Sequence, residues 1–142
     1  MATATNLATL AQRIDEVINA HDVGDPLTEL VVEDFVEQNP PGQGPGRAGR
    51  ADVLTGMFTA FPDLHWTMRD TVVQDDRVMT LSTWSGTHEG AFMGIPATGR
   101  RVEVEAWTLD RYRDGRLVES RIIMDVAGML VQLGIIPPPS AG

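Results

Sequence analysis

The sequence predicts an α+β fold in which helices come first and an antiparallel sheet follows. Two segments within the first 61 residues carry apolar residues at helical spacing. Four runs in the second half are rich in Val, Thr, Trp and Ile, which is typical of strands. Because 142 residues leave little room for a second core, we predict one domain over 1–142, with its core at about 5–137.

Each element of the first half has its own local signal. An amphipathic helix is predicted over 5–21, and Asp25-Pro26 provides the N-cap and first residue of a short second helix. A strand is predicted over 31–38, followed by a loop at 39–46 that is rich in glycine and proline. Apolar residues at helical spacing predict a further helix over 47–61.

The second half is predicted to form two hairpins and a closing helix. Asp75-Asp76 and Arg113-Asp114-Gly115 are turn sequences that separate the strands. Asp125 is the predicted N-cap of a helix over 126–133. The four predicted strands cover residues 64–75, 77–88, 101–113 and 116–124.

The composition excludes several classes of function. With 20 acidic and 11 basic residues the net charge is −9, so nucleic acid and anionic membranes are poor partners. Cysteine is absent, which excludes disulfides, thiolate metal sites and thiol catalysis. The three histidines are scattered and lack the spacing of a metal site, so no metal is predicted. The N-terminal residues do not resemble a signal peptide, and we expect a soluble, cytoplasmic protein.

The last hairpin predicts which side chains share a face of the sheet. With a three-residue loop at 113–115 and Gly115 in the left-handed conformation, Tyr112 faces Arg116. Counting outward gives the pairs Asp110 with Val118, Thr108 with Ser120, and Ala106 with Ile122. Because side chains alternate along a strand, these residues share one small, apolar face with Val104 and Met124. This face either lines a pocket for an apolar guest or packs as ordinary core under a helix.

Asp110 is the only carboxylate on that face, which makes it the candidate catalytic residue. Burial among apolar side chains raises the pKa of a carboxyl group, and such a group can act as a general acid or base near neutral pH. The alternative is a solvated aspartate near the end of the hairpin, paired with Arg111 or Arg113. Glu37 and Asn39, at the end of the first strand, are expected to be exposed rather than to reach a cavity.

A set of short motifs occurs in the order found in one known family. The motifs are Phe61-Pro-Asp-Leu64, Gly86-Thr-His-Glu-Gly90, Phe92-Met-Gly-Ile-Pro-Ala-Thr-Gly99, Arg111-Tyr-Arg-Asp-Gly115 and Leu130-Val-Gln-Leu-Gly134-Ile-Ile-Pro. Together with the loop that ends in Gly46, they resemble the SnoaL-like polyketide cyclase family from about Ala11 to Pro137. The resemblance implies the nuclear-transport-factor-2-like fold, a cone-shaped curved antiparallel sheet around an apolar pocket with helices packed in its mouth. It also implies a homodimer without a metal or organic cofactor.

The sequence departs from this family at the positions that the resemblance assigns to aldol chemistry. The family's catalytic aspartate is replaced by Ile122, and its pocket glutamine and histidine are replaced by Ala106 and Thr108. The acid and base of the family's intramolecular aldol condensation therefore do not carry over. Asp110 occupies a position that the family usually fills with an apolar residue, which favours a functional role for it.

Other residues are candidates for substrate binding in this pocket. Trp66 and Trp84 either stack on a flat polycyclic substrate or belong to the core. His88 either lies at the pocket rim or stabilises a turn. The loop containing Phe92 and Met93 suits a lid or a dimer contact. The remaining predicted wall residues are Ala106, Thr108, Ser120, Ile122 and Met124.

The sequence therefore predicts a polyketide-tailoring enzyme, a cyclase or related isomerase or lyase that uses acid/base catalysis in an apolar pocket, as in antibiotic biosynthesis. One alternative is a cofactor-free hydroxylase or epoxide hydrolase on the same scaffold. Another is a non-catalytic protein that binds a small molecule. Trp107, Leu109 and Ile123 lie on the opposite, charged face of the sheet, and we expect a dimer to cover them.

Overall fold

The structure, a computed structural model, describes residues 4–38 and 43–140. The helices and strands of these residues are α1 Ala4–Asn19, α2 Asp25–Leu30, β1 Val31–Glu37, α3 Gly46–Ala60, β2 His65–Gln74, β3 Arg77–Thr87, β4 Arg101–Arg113, β5 Arg116–Met124 and α4 Val126–Gln132. These bounds confirm each predicted helix and strand to within one or two residues. Residues 39–42 of the predicted loop at 39–46, Asn39 among them, lie outside the described residues.

The strands form one curved, unclosed sheet, which confirms the predicted α+β class. Their order is β1-β5-β4-β3-β2, and β2 to β5 pair with their sequence neighbours in antiparallel fashion. The prediction of a purely antiparallel sheet is wrong for β1, which pairs with β5 in parallel. The reason is topological, since three strands and α3 separate β1 from β5 and bring the chain back in the same direction.

The turn between β4 and β5 differs from the predicted three-residue loop. Asp114 and Gly115 both have positive φ angles, of 51° and 77°, and Arg113 pairs with Arg116. This is a two-residue type I′ turn, for which an Asp-Gly dipeptide is well suited. The left-handed conformation predicted for Gly115 is confirmed.

A β-bulge next to this turn shifts the register of the hairpin. Tyr112 pairs with Leu117 and Arg111 with Glu119, so Val118 is the extra residue on β5. The two-residue turn and the bulge each move the register by one position, so the predicted pairs are wrong by two. The observed pairs are Asp110 with Ser120, Thr108 with Ile122, and Ala106 with Met124. A shift of two residues preserves the face of each side chain, so Ser120, Ile122 and Met124 still share the face of Asp110. Val118 does not, because the bulge turns it toward a surface groove beside Arg111.

The concave face of the sheet packs against α1 and α3 and contains the core. Along β3, alternate residues from Val78 to Gly86 are buried, as expected for a strand with one covered face. The helices contribute apolar residues at helical spacing, namely Leu7, Ala11, Ile14 and Ile18 from α1 and Leu54 and Met57 from α3. Within residues 4–38 and 43–140, no helix is both long and apolar enough to cross a bilayer.

The structure confirms one of the predicted helix caps and corrects another. Asp125 precedes α4 and its Oδ1 accepts a hydrogen bond from the backbone N–H of Gly128 at 2.9 Å, which confirms the predicted N-cap. The cap predicted at Asp25 is wrong by one residue. Gly24 occupies the N-cap position of α2, and Asp25 is its first helical residue.

The type I′ turn can be tested with two matched glycine substitutions. Gly115→Ala should lower the free energy of unfolding by about 1 kcal/mol, because a Cβ is strained at this positive φ although no atom lies within 4 Å of it. Gly56→Ala, the same change in the exposed interior of α3, should raise the free energy of unfolding by up to about 1 kcal/mol. Urea unfolding of both variants measures these effects. Equal stability of Gly115→Ala and the parent protein would contradict the turn assignment.

Candidate active site

A small cavity lies between α1, α3 and the concave face of the sheet. Its volume is about 80 Å³, compared with roughly 150 Å³ for an engineered protein cavity that holds benzene. Most of its wall is apolar, and one part carries carboxyl groups and a guanidinium. The apolar side chains of the wall include Ile14, Ile18, Leu54, Met57, Met68 and Ile122.

Asp110 lies in the wall of this cavity, as its position on the concave face requires. The residue is 8% exposed, and Oδ1 accepts a hydrogen bond of 2.5 Å from the Ser120 hydroxyl. Burial raises the pKa of the Asp110 carboxyl, while the hydrogen bond from Ser120 and the charge of Arg50 oppose this increase. Asp110 is therefore a buried carboxyl that holds its proton to a higher pH than an ordinary aspartate.

Glu37 and Arg50 form an ion pair in the same wall. The Arg50 Nη1 donates to Glu37 Oε2 at 3.0 Å, and only 14% and 4% of their side chains are exposed. The guanidinium carbon lies 5.4 Å from the ring centre of Phe35, which supports the arginine from one side. Burial raises the pKa of Glu37 to about 7, although Arg50 lowers it and Asp110 raises it further. The expectation that Glu37 is exposed is wrong, because the end of β1 brings this side chain under α3.

Asp15 brings a third carboxyl group to the cavity from α1. Its pKa is raised to about 7, first by burial and then by the negative charge of Asp110, while Arg50 opposes both. Burial raises the pKa of the Tyr112 hydroxyl on β4, and the negative charge of Asp110 raises it further. In the described ranges, no group of three or more His, Asp or Glu side chains is arranged to hold a metal ion.

Asp15 and Arg50 were not predicted as site residues, although their spacing contains a signal. Asp15 falls between Ala11, Ile14 and Ile18 on the buried face of α1. Arg50 stands at the start of the series formed with Val53, Leu54 and Met57 on α3. In both helices the charged residue occupies a position of the i, i+3, i+4, i+7 pattern that defines the buried face. A charged residue within an apolar stripe is the feature that would have identified them.

The predicted substrate-binding residues divide into two groups. Trp66, Thr108, Ile122 and Met124 line the cavity together with Asp110. For the other six predicted substrate-binding residues the prediction is corrected, because none of them lines the cavity: Trp84, His88, Phe92, Met93, Ala106 and Ser120.

These six residues have other positions for clear physical reasons. Trp84 and Ala106 are fully buried behind the wall, and the indole N–H of Trp84 lies 3.2 Å from the Met124 sulfur. Ser120 is covered by Asp110, to which it donates its hydrogen bond. His88 is buried away from the cavity, where its Nδ1 accepts from the Thr98 backbone N–H at 3.2 Å, which supports the turn-stabilising alternative.

Phe92 and Met93 belong to the loop that follows His88. Phe92 packs edge-on against Phe61, with ring centres 5.2 Å apart, and so anchors the loop on the core. Met93 is 61% exposed and points away from the cavity. Neither residue therefore acts as a lid over the cavity in this structure, although Met93 is free for contacts at the surface.

The motifs, the fold and the cavity agree with the comparison to known families. The family model of SnoaL-like polyketide cyclases matches residues 8–133. The chain belongs to this family. No curated protein has a sequence that matches the chain significantly.

Several solved structures share the fold over most of their length. TsrD from Streptomyces laurentii is 26% identical with a TM-score of 0.88, and the match covers 96% of this chain and 100% of TsrD. IdmH from Streptomyces antibioticus, named as a candidate polyketide cyclase, is 36% identical with a TM-score of 0.80 over 90% of this chain and 98% of its own. AclR from Streptomyces galilaeus, named as a candidate hydroxylase, is 26% identical with a TM-score of 0.84 over 98% and 87%.

The raised pKa values predict that stability falls as pH rises. Asp15 has a pKa of about 7 in the folded protein against an ordinary 3.8, so between these values the unfolded chain releases a proton that the folded protein keeps. The free energy of unfolding should therefore be highest near pH 4 and decrease toward pH 7. Asp15→Asn should flatten this decrease by on the order of 2 kcal/mol, as measured by urea unfolding across this range.

Asp63→Asn is the matched control for this pH series. The backbone N–H of Thr87 lowers the pKa of Asp63, so its contribution is present above pH 3.8 and is lost only at more acidic pH. This substitution should leave the slope between pH 4 and 7 as in the parent protein. A slope that Asp15→Asn does not change would contradict the burial of Asp15.

Proposed function

We propose that this SnoaL-like protein is a polyketide-tailoring enzyme, a cyclase or related isomerase or lyase, that moves protons on a polyketide intermediate. The observation that carries this proposal is the buried Asp110 carboxyl in the wall of an otherwise apolar cavity. A carboxyl group in such surroundings is suited to exchange a proton with a bound substrate near neutral pH. We expect the enzyme to work in the cytoplasm, in polyketide pathways such as those of antibiotic biosynthesis.

In the proposed reaction, Asp110 in its ionised form removes a proton from a carbon next to a carbonyl group. The C–H bond breaks, an O–H bond forms on Asp110, and the electron pair moves onto the carbonyl oxygen to give an enolate. The enolate carbon then attacks a second carbonyl of the same chain and closes the ring. Asp15, whose pKa is about 7, is suited to protonate the oxygen of the attacked carbonyl. A proton then passes from Asp110 to Asp15 and restores both groups for the next turnover.

The apolar wall supports this chemistry by holding the hydrocarbon part of the substrate. Ile18, Met57 and Trp66 present hydrocarbon surface that excludes water and positions the reacting carbons. A volume of about 80 Å³ suits the reacting end of a chain rather than a whole polyketide. The proposal therefore requires only the reacting carbonyl groups to enter the cavity.

A hydroxylase or epoxide hydrolase is the second candidate function. The observation that favours it is the presence of three carboxyl groups around one cavity, since a protonated one can donate to an epoxide oxygen while an ionised one activates water. The likeness to AclR, named as a candidate hydroxylase, agrees with this alternative. The replacement of the family's catalytic aspartate by Ile122 also agrees with it.

Asp110→Asn tests the proposed role of Asp110 because it keeps the shape and removes the titrating group. The rate of proton transfer should fall by about 10²- to 10⁴-fold. Proton abstraction can be assayed with any small ketone that has a C–H bond next to its carbonyl group. The assay can therefore follow deuterium exchange from heavy water into cyclopentanone by proton NMR. Asp125→Asn is the control, because Asn also caps helices and the rate should stay as in the parent protein.

Three results would count against this assignment. Normal exchange in Asp110→Asn would show that Asp110 carries no proton in the reaction. Loss of exchange only in Glu37→Gln would move the catalytic role to Glu37. Tight binding of ketones without any exchange in the parent protein would favour the alternative of a non-catalytic binding protein.

We also propose that the protein forms a homodimer through the convex face of the sheet. Trp107 and Ile123 are cross-strand neighbours on this face and are 51% and 65% exposed, while Met79 lies beside them at 37%. Exposed apolar residues that adjoin one another on a sheet are typical of an interface. Glu105 and Arg121 lie on the same face, and a two-fold axis can pair such opposite charges.

Ile123→Lys should convert the dimer to a monomer, because two added charges would face each other across the two-fold axis. Size-exclusion chromatography with light scattering at micromolar concentration measures the mass. Ile135→Lys is the control, since Ile135 is also exposed, at 48%, but follows α4 and lies outside the sheet. A monomeric parent protein, or a dimer that survives Ile123→Lys, would contradict this interface.

A further inference from the structure

Unpartnered polar atoms are concentrated in the wall of the cavity. Arg50 Nε, Glu37 Oε1, Asp15 Oδ2 and Ser82 Oγ are buried and have no hydrogen-bond partner among the described residues. Buried polar groups in native proteins are nearly always hydrogen-bonded, since an unpaired one costs free energy. Glu37 has 4% of its side chain exposed and Ser82 is fully buried, so bulk water does not satisfy them. The wall of the cavity therefore presents donors and acceptors that a bound polar group can satisfy.

Arg50 is the group in this wall that is best suited to an electron-rich oxygen. It is the one cation among the described residues that line the cavity, and its Nη1 is occupied by Glu37 at 3.0 Å. Its Nε–H is a donor without an acceptor. The acidic groups that act on it come from α1, β1 and β4, namely Asp15, Glu37 and Asp110, with the Tyr112 hydroxyl also near.

We propose that the Nε–H of Arg50 binds a carbonyl oxygen of the substrate and stabilises the negative charge that develops there when the adjacent carbon loses its proton. The inference rests on the proposed function and adds the ligand class, a compound with an enolisable carbonyl such as a β-diketone. A hydrogen bond from a charged donor is about twice as strong as one between neutral groups, and it strengthens in a dry site.

The charge balance of the cavity agrees with this role. Before proton transfer, the cavity holds the positive Arg50, the negative Glu37 and the negative Asp110. Afterwards Asp110 is neutral and the substrate oxygen carries the negative charge, so the sum is the same. Arg50 therefore interacts with the ionised Glu37 throughout, and with a second negative charge that moves from Asp110 to the substrate oxygen.

Pentane-2,4-dione is the probe for this proposal, because it is a small β-diketone whose enolate and neutral forms absorb ultraviolet light differently. Titration of the bound probe gives the affinity for the enolate relative to the neutral diketone. In Arg50→Gln this preference should fall by about 10- to 100-fold. Arg50→Lys should restore part of it, since the charge returns without the planar Nε–H.

Arg47→Gln is the matched control on the same helix. Arg47 donates to the Val31 backbone oxygen at 3.0 Å and lies outside the cavity, so the enolate preference should match that of the parent protein. Arg50→Gln leaves Glu37 without its cation and can unfold the chain. The double variant Arg50→Gln/Glu37→Gln removes both charges and should show the same loss of preference. An enolate preference that persists in either variant would overturn the proposal.

The failure of this inference can be told apart from the failure of the proposed function. If the parent protein prefers the enolate through Arg50 but catalyses no exchange into cyclopentanone, the enzyme proposal fails and the assignment of Arg50 stands. If Arg50→Gln exchanges deuterium at the parent rate, Arg50 does not stabilise the enolate and this assignment fails. Loss of exchange in Arg50→Gln together with loss of the enolate preference supports both.

Discussion

The cost of burying negative charge in a largely apolar cavity is the constraint on which this site depends. Three carboxyl groups, from α1, β1 and β4, lie in or along one small volume, and Arg50 is the cation that faces them. One guanidinium can compensate for about one carboxylate, and its ion pair is with Glu37. The remaining carboxyls respond by holding their protons to higher pH. These carboxyl groups can therefore gain or lose protons instead of remaining permanently ionised.

The order of the elements could be predicted from the sequence because it follows from local patterns. Helical spacing and strand-like runs are repeated over many residues, so each element of the fold is supported by several side chains at once. The parallel pairing of β1 was missed since pairing direction depends on where α3 carries the chain, which no local pattern contains. The hairpin register was missed because the turn has two residues rather than three, and because a bulge at Val118 adds one residue that has no sequence signature of its own.

The candidate site was predicted only in part, for a related reason. Asp110 was found because side-chain alternation fixes its face, and a register error of two residues does not change that face. Asp15 and Arg50 were missed since charged residues on helices are usually assumed to face solvent. Trp84 and Ala106 were assigned to the wall by their face alone, but depth behind the wall depends on how α1 packs on the sheet.

The bulge at Val118 has a consequence for the chemistry of the cavity. Without it, the ladder that starts at the turn would place Glu119 opposite Asp110 and Arg121 opposite Thr108. The inner wall would then carry a carboxylate and a guanidinium in place of a hydroxyl and an aliphatic side chain, and Ile122 would face outward. A single inserted residue thus decides that Asp110 has a serine beside it rather than a second acid. The identity of the groups around the reacting atoms is encoded in the backbone path as much as in the side chains themselves.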